Sequence, residues 1–107
     1  MGAVVTVVFR PSVERAHAFE QLLEELSTVI RSQPPQGMNA MSILRGDGHV
    51  LVQASWDSAQ EQKAFRASPS GGRIFKAMSE CAVKPPVTYT SSEDGALSFS
   101  RGSEPNA

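Results

Sequence analysis

Residues 50–65 read VLVQASWDSAQEQKAF, an apolar run that reaches the only tryptophan of the chain and passes at once into a helix start. Val50, Val52, Ala54 and Trp56 alternate with Leu51, Gln53 and Ser55, the two-residue period of a strand. Ser58 is a favoured N-cap, and Glu61 three residues later completes the capping-box spacing for a helix through Ala59, Ala64 and Phe65. A strand ending directly in a capped helix sets the frame for the rest of the chain.

Upstream, residues 38–49 form a second β-rich run with glycines at 46 and 48, which predicts a hairpin turning at Gly46, Asp47 and Gly48. Ahead of it, AVVTVVF at 3–9 is a β-branched strand stopped by Arg10 and Pro11. Between Ser12 and Arg31, the residues Ala16, Phe19, Leu23, Leu26 and Ile30 recur at helical steps with Glu14, His17, Glu20, Gln21 and Glu24 opposite. SQPPQG at 32–37 ends that helix, because proline cannot continue its hydrogen-bond ladder. Downstream, Ser68 caps and Pro69 opens another helix, with Ile74, Met78 and Cys81 on one face. Pro85 and Pro86 then lead into VTYT, a last short strand.

The order is strand, helix, strand, strand, helix pair, strand, which defines an α+β, ferredoxin-like βαββαβ domain with its helices on one face of an antiparallel sheet. That domain occupies residues 1–90. Residues 91–107, rich in Ser, Gly and Glu, are expected to be a loosely ordered tail, with a short strand at 95–99 that either extends the sheet or lies free. The strands are apolar on both faces, Val5, Val7 and Phe9 alternating with Val4 and Val8. A sheet covered on one side would then expose an apolar patch, so a homodimer packed sheet to sheet is expected.

Composition narrows the function. The chain has 107 residues, 10 basic and 11 acidic, for a formal charge of −1. One domain of this length can bury a core, and interspersed charges of this balance build no field for nucleic acid or an anionic membrane. One cysteine, Cys81, allows neither an intramolecular disulfide nor a multi-cysteine metal site. No segment approaches the roughly 18 apolar residues that span a bilayer. A soluble, cytoplasmic protein is expected, with no metal and no bound cofactor.

The hairpin also predicts a pocket. With Arg45 opposite His49, the residues Met38, Ala40, Ser42 and Leu44 share a face with Val50, Val52, Ala54 and Trp56. Ser42 then lies opposite Val52 and Ala40 opposite Ala54, small residues that leave space between Leu44 and Trp56. Phe19, Leu23, Phe65, Phe75 and Met78 would roof that space into an apolar cavity of the kind that takes a small molecule. The alternative is a core filled by the helix side chains.

The element order, the segment LVQASWDSAQEQKAF and SPSGGRIF at 68–75 resemble the antibiotic biosynthesis monooxygenase domain, a dimeric α+β barrel, over residues 3–90. The most specific piece is W-[DE]-S at 56–58 followed by S-P at 68 and 69. The resemblance implies a homodimer with one cavity per protomer, acting on hydrophobic aromatic substrates of polyketide type. It implies oxygenation of anthrone-type phenols by O₂ without metal or flavin, the deprotonated substrate itself passing an electron to O₂. Such chemistry needs a dry pocket, a proton acceptor and donors for the developing oxyanion. Family oxygenases have an Asn four residues before the Trp, a Tyr six residues after it and an Arg on the later helix. Here those positions hold Val52, Gln62 and either Phe75 or Lys76, so Trp56 alone carries over as a catalytic candidate. The related haem-degrading enzymes use a histidine on the later helix, and no histidine follows His49.

The expected function is therefore a cofactor-independent monooxygenase acting on an aromatic metabolite in antibiotic or secondary-metabolite biosynthesis. A non-oxidative cyclase or isomerase and a non-catalytic ligand-binding dimer are the alternatives. The expected pocket comprises Ser42, Val52, Ala54, Trp56, Phe65, Phe75 and Met78, with Tyr89 and Lys76 as polar helpers. His17 and His49 lie on solvated positions. Gly71 and Gly72 lack the spacing of a phosphate loop.

Overall fold

The computed structural model describes residues 2–92 and the backbone of 97–101. The elements are β1 (Ala3–Phe9), α1 (Ala16–Ser32) after a single 3-10 turn at Val13–Arg15, β2 (Met38–Gly46), β3 (His49–Trp56), α2 (Ala59–Ala67), α3 (Pro69–Glu80), β4 (Val87–Ser92) and β5 (Leu97–Arg101). The strands form one antiparallel sheet in the order β2-β3-β1-β4-β5. With β1 between β3 and β4, this is the ferredoxin-like arrangement, extended by one strand.

The period of two in the sequence becomes the sidedness of the sheet. Ala3, Val5, Val7 and Phe9 of β1 and Val50, Val52, Ala54 and Trp56 of β3 are buried. Against them α1 sets Phe19, Leu23 and Leu26, and α3 sets Ile74, Phe75 and Met78. The caps form as read: Ser58 Oγ accepts from the Glu61 N–H at 3.4 Å, and Ser68 Oγ accepts from the Gly71 N–H at 3.1 Å. Ser58 Oγ also donates to Glu61 Oε1 at 3.1 Å. At the far end of α3, Ser12 N–H donates to the Cys81 carbonyl and Val83 N–H to the Arg10 carbonyl, both at 2.9 Å, closing the chain after β1 onto the end of the helix.

The hairpin differs from the sequence expectation by one residue. Gly46 pairs with His49, so the loop is Asp47–Gly48 alone, with Gly48 at φ +77°. The slip exchanges the faces of β2. Ile43 now opposes Val52 and Met41 opposes Ala54, while Ser42 opposes Gln53 on the other side of the sheet. The slip turns Ile43 and Met41 toward the core in place of Ser42 and Ala40, while Leu44 passes to the exposed face. A bulge at Asn39 then returns Met38 to the core side, opposite Trp56.

The same register brings Arg45 to α1, where Nη2 and Nε donate to the two Glu20 carboxylate oxygens at 2.6 and 3.2 Å. That hydrogen bond, aided by the charge of Arg45, holds the Glu20 carboxyl below its usual range against a smaller opposing effect of burial. Both side chains are about half exposed, so the pair is worth under about 1 kcal/mol.

Val4, Leu44 and Tyr89 are exposed on the opposite face, beside the half-buried Thr6, Val8 and Leu51. The sheet also continues into the segment read as a tail, since β5 pairs with β4 from Ser91↔Leu97 to Val87↔Arg101. Residues 95 and 96 of the expected strand lie outside the described residues, as do 93, 94 and 102–107.

Gly37, at φ +85°, accepts the Asp57 N–H on its carbonyl at 2.8 Å, and a Cβ there would overlap the Glu61 carboxylate. Gly48 has the same backbone sign but nothing within 4 Å of such a Cβ. Gly48→Ala should therefore cost only the left-handed strain, about 1 kcal/mol. Gly37→Ala should cost about 1 kcal/mol more, because Glu61 must leave its contact with the α2 cap. Urea denaturation of both variants checks this; equal midpoints would show that Glu61 moves aside freely.

Candidate functional site

Trp56 reaches the inner face because it is the last core-side residue of β3, and α2 begins three residues later. Its ring lies 6.0 Å from that of Phe65. Phe65 meets Phe75 edge-on at 6.3 Å, and Phe75 stacks on Phe9 at 6.2 Å. The aromatic row runs from the end of the sheet across α2 and α3, an arrangement in which ring quadrupoles favour offset and edge contacts.

Beside this row lies a small cavity. Its floor is Val5, Val7, Val52 and Ala54, its aromatic wall Trp56, Phe65 and Phe75, and its remaining sides Leu26 and Ile30 of α1, Met38 and Met41 of β2, and Gln62 of α2. Only about 20 Å³ of it admits the centre of a water molecule. A site for a small organic ligand needs roughly 300 Å³ or more. Ile30, Met38 and Met41 also border a surface depression next to Pro34 and Asn39, and each is half-buried. These three side chains divide the cavity from solvent, and unbranched methionines reorient at little cost.

Two residues of this wall, Trp56 and Gln62, carry polar side-chain groups. The Trp56 indole Nε1 is buried and has no hydrogen-bond partner, the only such side-chain nitrogen or oxygen among the described residues. Leaving a buried donor unpaired costs about 1–3 kcal/mol. Gln62, 8% exposed, brings its amide to the same wall. No lining residue is ionisable, so the wall supplies hydrogen bonds and no proton acceptor. Among the described residues no group of His, Cys, Asp or Glu is placed to hold a metal ion.

The expected pocket converges in part. Val52, Ala54, Trp56, Phe65 and Phe75 line the cavity. Met78 is fully buried in the core but absent from the wall. Ser42 is exposed on the opposite face because of the register slip, and Tyr89 stands on that face too, opposite Thr6. Lys76 borders a groove on the outer side of α3 with Arg66 and Lys84. Neither polar helper reaches the cavity. Gln62 was the residue to find: stepping back three positions from Phe65 along α2 gives the same inward face. Met41 was hidden by the register, whereas Met38 and Ile30 lie on the faces their own elements imply.

An antiparallel sheet of this strand order with helices on one face is the ferredoxin-like α+β fold, and several solved structures share it. Rv0793 from Mycobacterium tuberculosis is similar at 15% identity and a TM-score of 0.74, over 86% of this chain and 94% of that one. A provisionally assigned antibiotic biosynthesis monooxygenase from Caulobacter crescentus CB15 is similar at 16% identity and a TM-score of 0.73, over 83% and 86%. A dimeric ferredoxin-like protein of unknown function from Jannaschia sp. CCS1 is similar at 11% identity and a TM-score of 0.66, over 92% and 97%. No protein-family model matches the chain, and neither does any curated protein. At these identities the fold is what is shared.

Trp56→Phe removes the unpaired N–H while keeping an aromatic ring, so relief of the orphaned donor offsets part of the lost packing. The expected loss of stability is under about 2 kcal/mol, against about 3–5 for Trp56→Ala. Chemical denaturation of both variants measures the difference; equal losses would mean that the indole N–H is satisfied in the folded protein.

Proposed function

We propose that the protein is an antibiotic-biosynthesis-monooxygenase-type enzyme that takes a hydrophobic aromatic metabolite between sheet and helices and oxygenates it with O₂, without a bound cofactor. The observation that carries this reading is Trp56, which lines an otherwise apolar cavity and whose buried indole N–H has no hydrogen-bond partner. A donor held dry and unpaired is preorganised for an oxygen that develops negative charge. The names of the structural relatives agree with it.

For an anthrone-type substrate the reaction converts a ring CH₂ and O₂ into a carbonyl and water. The substrate, once deprotonated, donates an electron to O₂; the carbon–oxygen bond then forms, and loss of water leaves the carbonyl. The chain contributes exclusion of water by the Val, Leu, Ile and Phe wall, a stacking surface on Trp56 and Phe65, and hydrogen bonds from Trp56 Nε1 and the Gln62 amide to the substrate oxygen. Because no wall residue takes the proton, the substrate must enter already ionised, its proton left in bulk solvent, and the best substrates are those that ionise most readily.

A second reading, a ligand-binding dimer without turnover, is favoured by that same lack of an ionisable side chain. The non-oxidative cyclase or isomerase needs a proton shuttle as well, and the wall offers none. Oxygen uptake by the metal-stripped protein with a panel of anthrones and dihydroxynaphthalenes separates the three. The expected result is uptake that falls about tenfold in Trp56→Phe, the loss of one hydrogen bond to developing charge. Ligand binding with no uptake would establish the binding protein, and product formed under strict anaerobiosis the cyclase or isomerase.

The homodimer is part of the proposal. Val4, Thr6, Val8, Leu44, Leu51 and Tyr89 present an apolar sheet face suited to a second copy, and one structural relative is named as dimeric. Sedimentation should give twice the chain mass, and Leu51→Asp should give the single chain. A monomeric wild type at micromolar concentration would reject this assembly.

A further inference from the structure

On the outer side of α3, away from the cavity, a groove of about 510 Å³ runs between the helix and residues 82–86. Three cations border it, Arg66, Lys76 and Lys84, and one acid, Glu80. Glu80 stands four residues after Lys76 on α3 and offsets one positive charge. Two charges remain unbalanced.

Arg66 differs from the two arginines that form ion pairs among the described residues. Arg45 and Arg73 pair with Glu20 and Glu25 and are more than half exposed. Arg66 has no carboxylate partner among the described residues. Its guanidinium lies over the Phe75 ring at 5.0 Å, and Nη1 donates to Thr88 Oγ1 at 3.2 Å. Burial pulls the guanidinium below its usual range, with no opposing charge to restore it. A partly buried cation set over a ring and tied at one nitrogen keeps other N–H groups for an oxyanion. Pro85 and Pro86 fix the backbone of the opposite rim.

We propose that this groove is a second binding site, one for a small oxyanion presented as a phosphate or a carboxylate, with Arg66 as its anchor and Lys76 and Lys84 at its flanks. Binding at this site does not require turnover in the cavity. The oxyanion accepts from the free edge of the guanidinium and supplies the counter-charge that the protein leaves out.

The test is an amide-resolved NMR titration of the full chain with inorganic phosphate and, separately, with succinate at constant ionic strength. Saturable shifts at Arg66, Ser79, Ala82 and Lys84 are expected with at least one of them, and the anion that saturates assigns phosphate or carboxylate as the ligand class. Arg66→Gln should weaken binding at least about tenfold, and Arg73→Gln, which removes an equal charge outside the groove, should leave it unchanged. Arg66→Lys keeps the charge and the aliphatic stem, guarding against a folding defect, and should bind more weakly than wild type because the fork is lost. Absence of saturation with both anions, equal weakening by the Gln variants at 66 and 73, or wild-type affinity in Arg66→Lys would each overturn the proposal.

Discussion

The helix side of this sheet depends on which residue of β2 faces Val52. Pairing Gly46 with His49 puts Ile43 there. From that one choice follow Met41 over Ala54, Arg45 within reach of Glu20 on α1, and Ser42 on the opposite face. Strand pairing offers no intermediate, since a shift of one residue moves every side chain of the strand through the sheet. Apolar burial is worth about 1.5–3 kcal/mol for each large aliphatic side chain withdrawn from water, gained here by Ile43 and Met41 in part and given up by Leu44. The bulge at Asn39 keeps Met38 on the same side beyond the point where plain alternation would have carried it outward.

Much of the fold was legible because its signals are local. Ser58 and Ser68 cap the helices that their positions imply, Pro69 opens α3, and the alternation in β1 and β3 marks the buried face. The hairpin register was less legible because both turns use the same three residues, and they differ only in whether Gly46 belongs to the loop or to the strand. The apolar content of β2 was the available clue: a register burying Ser42 and Ala40 while exposing Ile43 and Met41 works against the hydrophobic effect, with Leu44 alone counting the other way. Half of the site could then be placed from β3 and the helices, where Trp56, Ala54 and Phe65 needed only the period of their own element. Met41, contributed by β2, could not.

The cavity as it stands is closed, and its closure accounts for its oddest feature. A buried indole N–H without an acceptor is unusual, because buried donors find partners in the great majority of folded structures. Here the surrounding wall is aliphatic or aromatic apart from Gln62 and Trp56 itself. The protein therefore keeps an unsatisfied donor behind a wall of two methionines and an isoleucine, side chains able to yield without disturbing the backbone hydrogen bonds. An unpaired buried donor costs stability, and on the proposed function an acceptor supplied by the substrate would recover that cost.

Phe75 connects this cavity with the cationic groove. Phe75 lines the apolar wall, where it meets Phe65 edge-on, and the Arg66 guanidinium lies over the same ring. A ligand large enough to part Phe65 from Phe75 must displace the ring that supports the guanidinium, and Arg66 is further tied to β4 through Thr88. An anion that fixes Arg66 restrains the same ring in turn. Coupling of this kind is reciprocal: whatever the groove does to the affinity of the cavity, the cavity does to the groove by the same factor. Its sign follows from geometry. If the open cavity needs Phe75 where the anion-bound arginine holds it, the two ligands favour each other; if opening requires the ring to swing toward α3, each excludes the other.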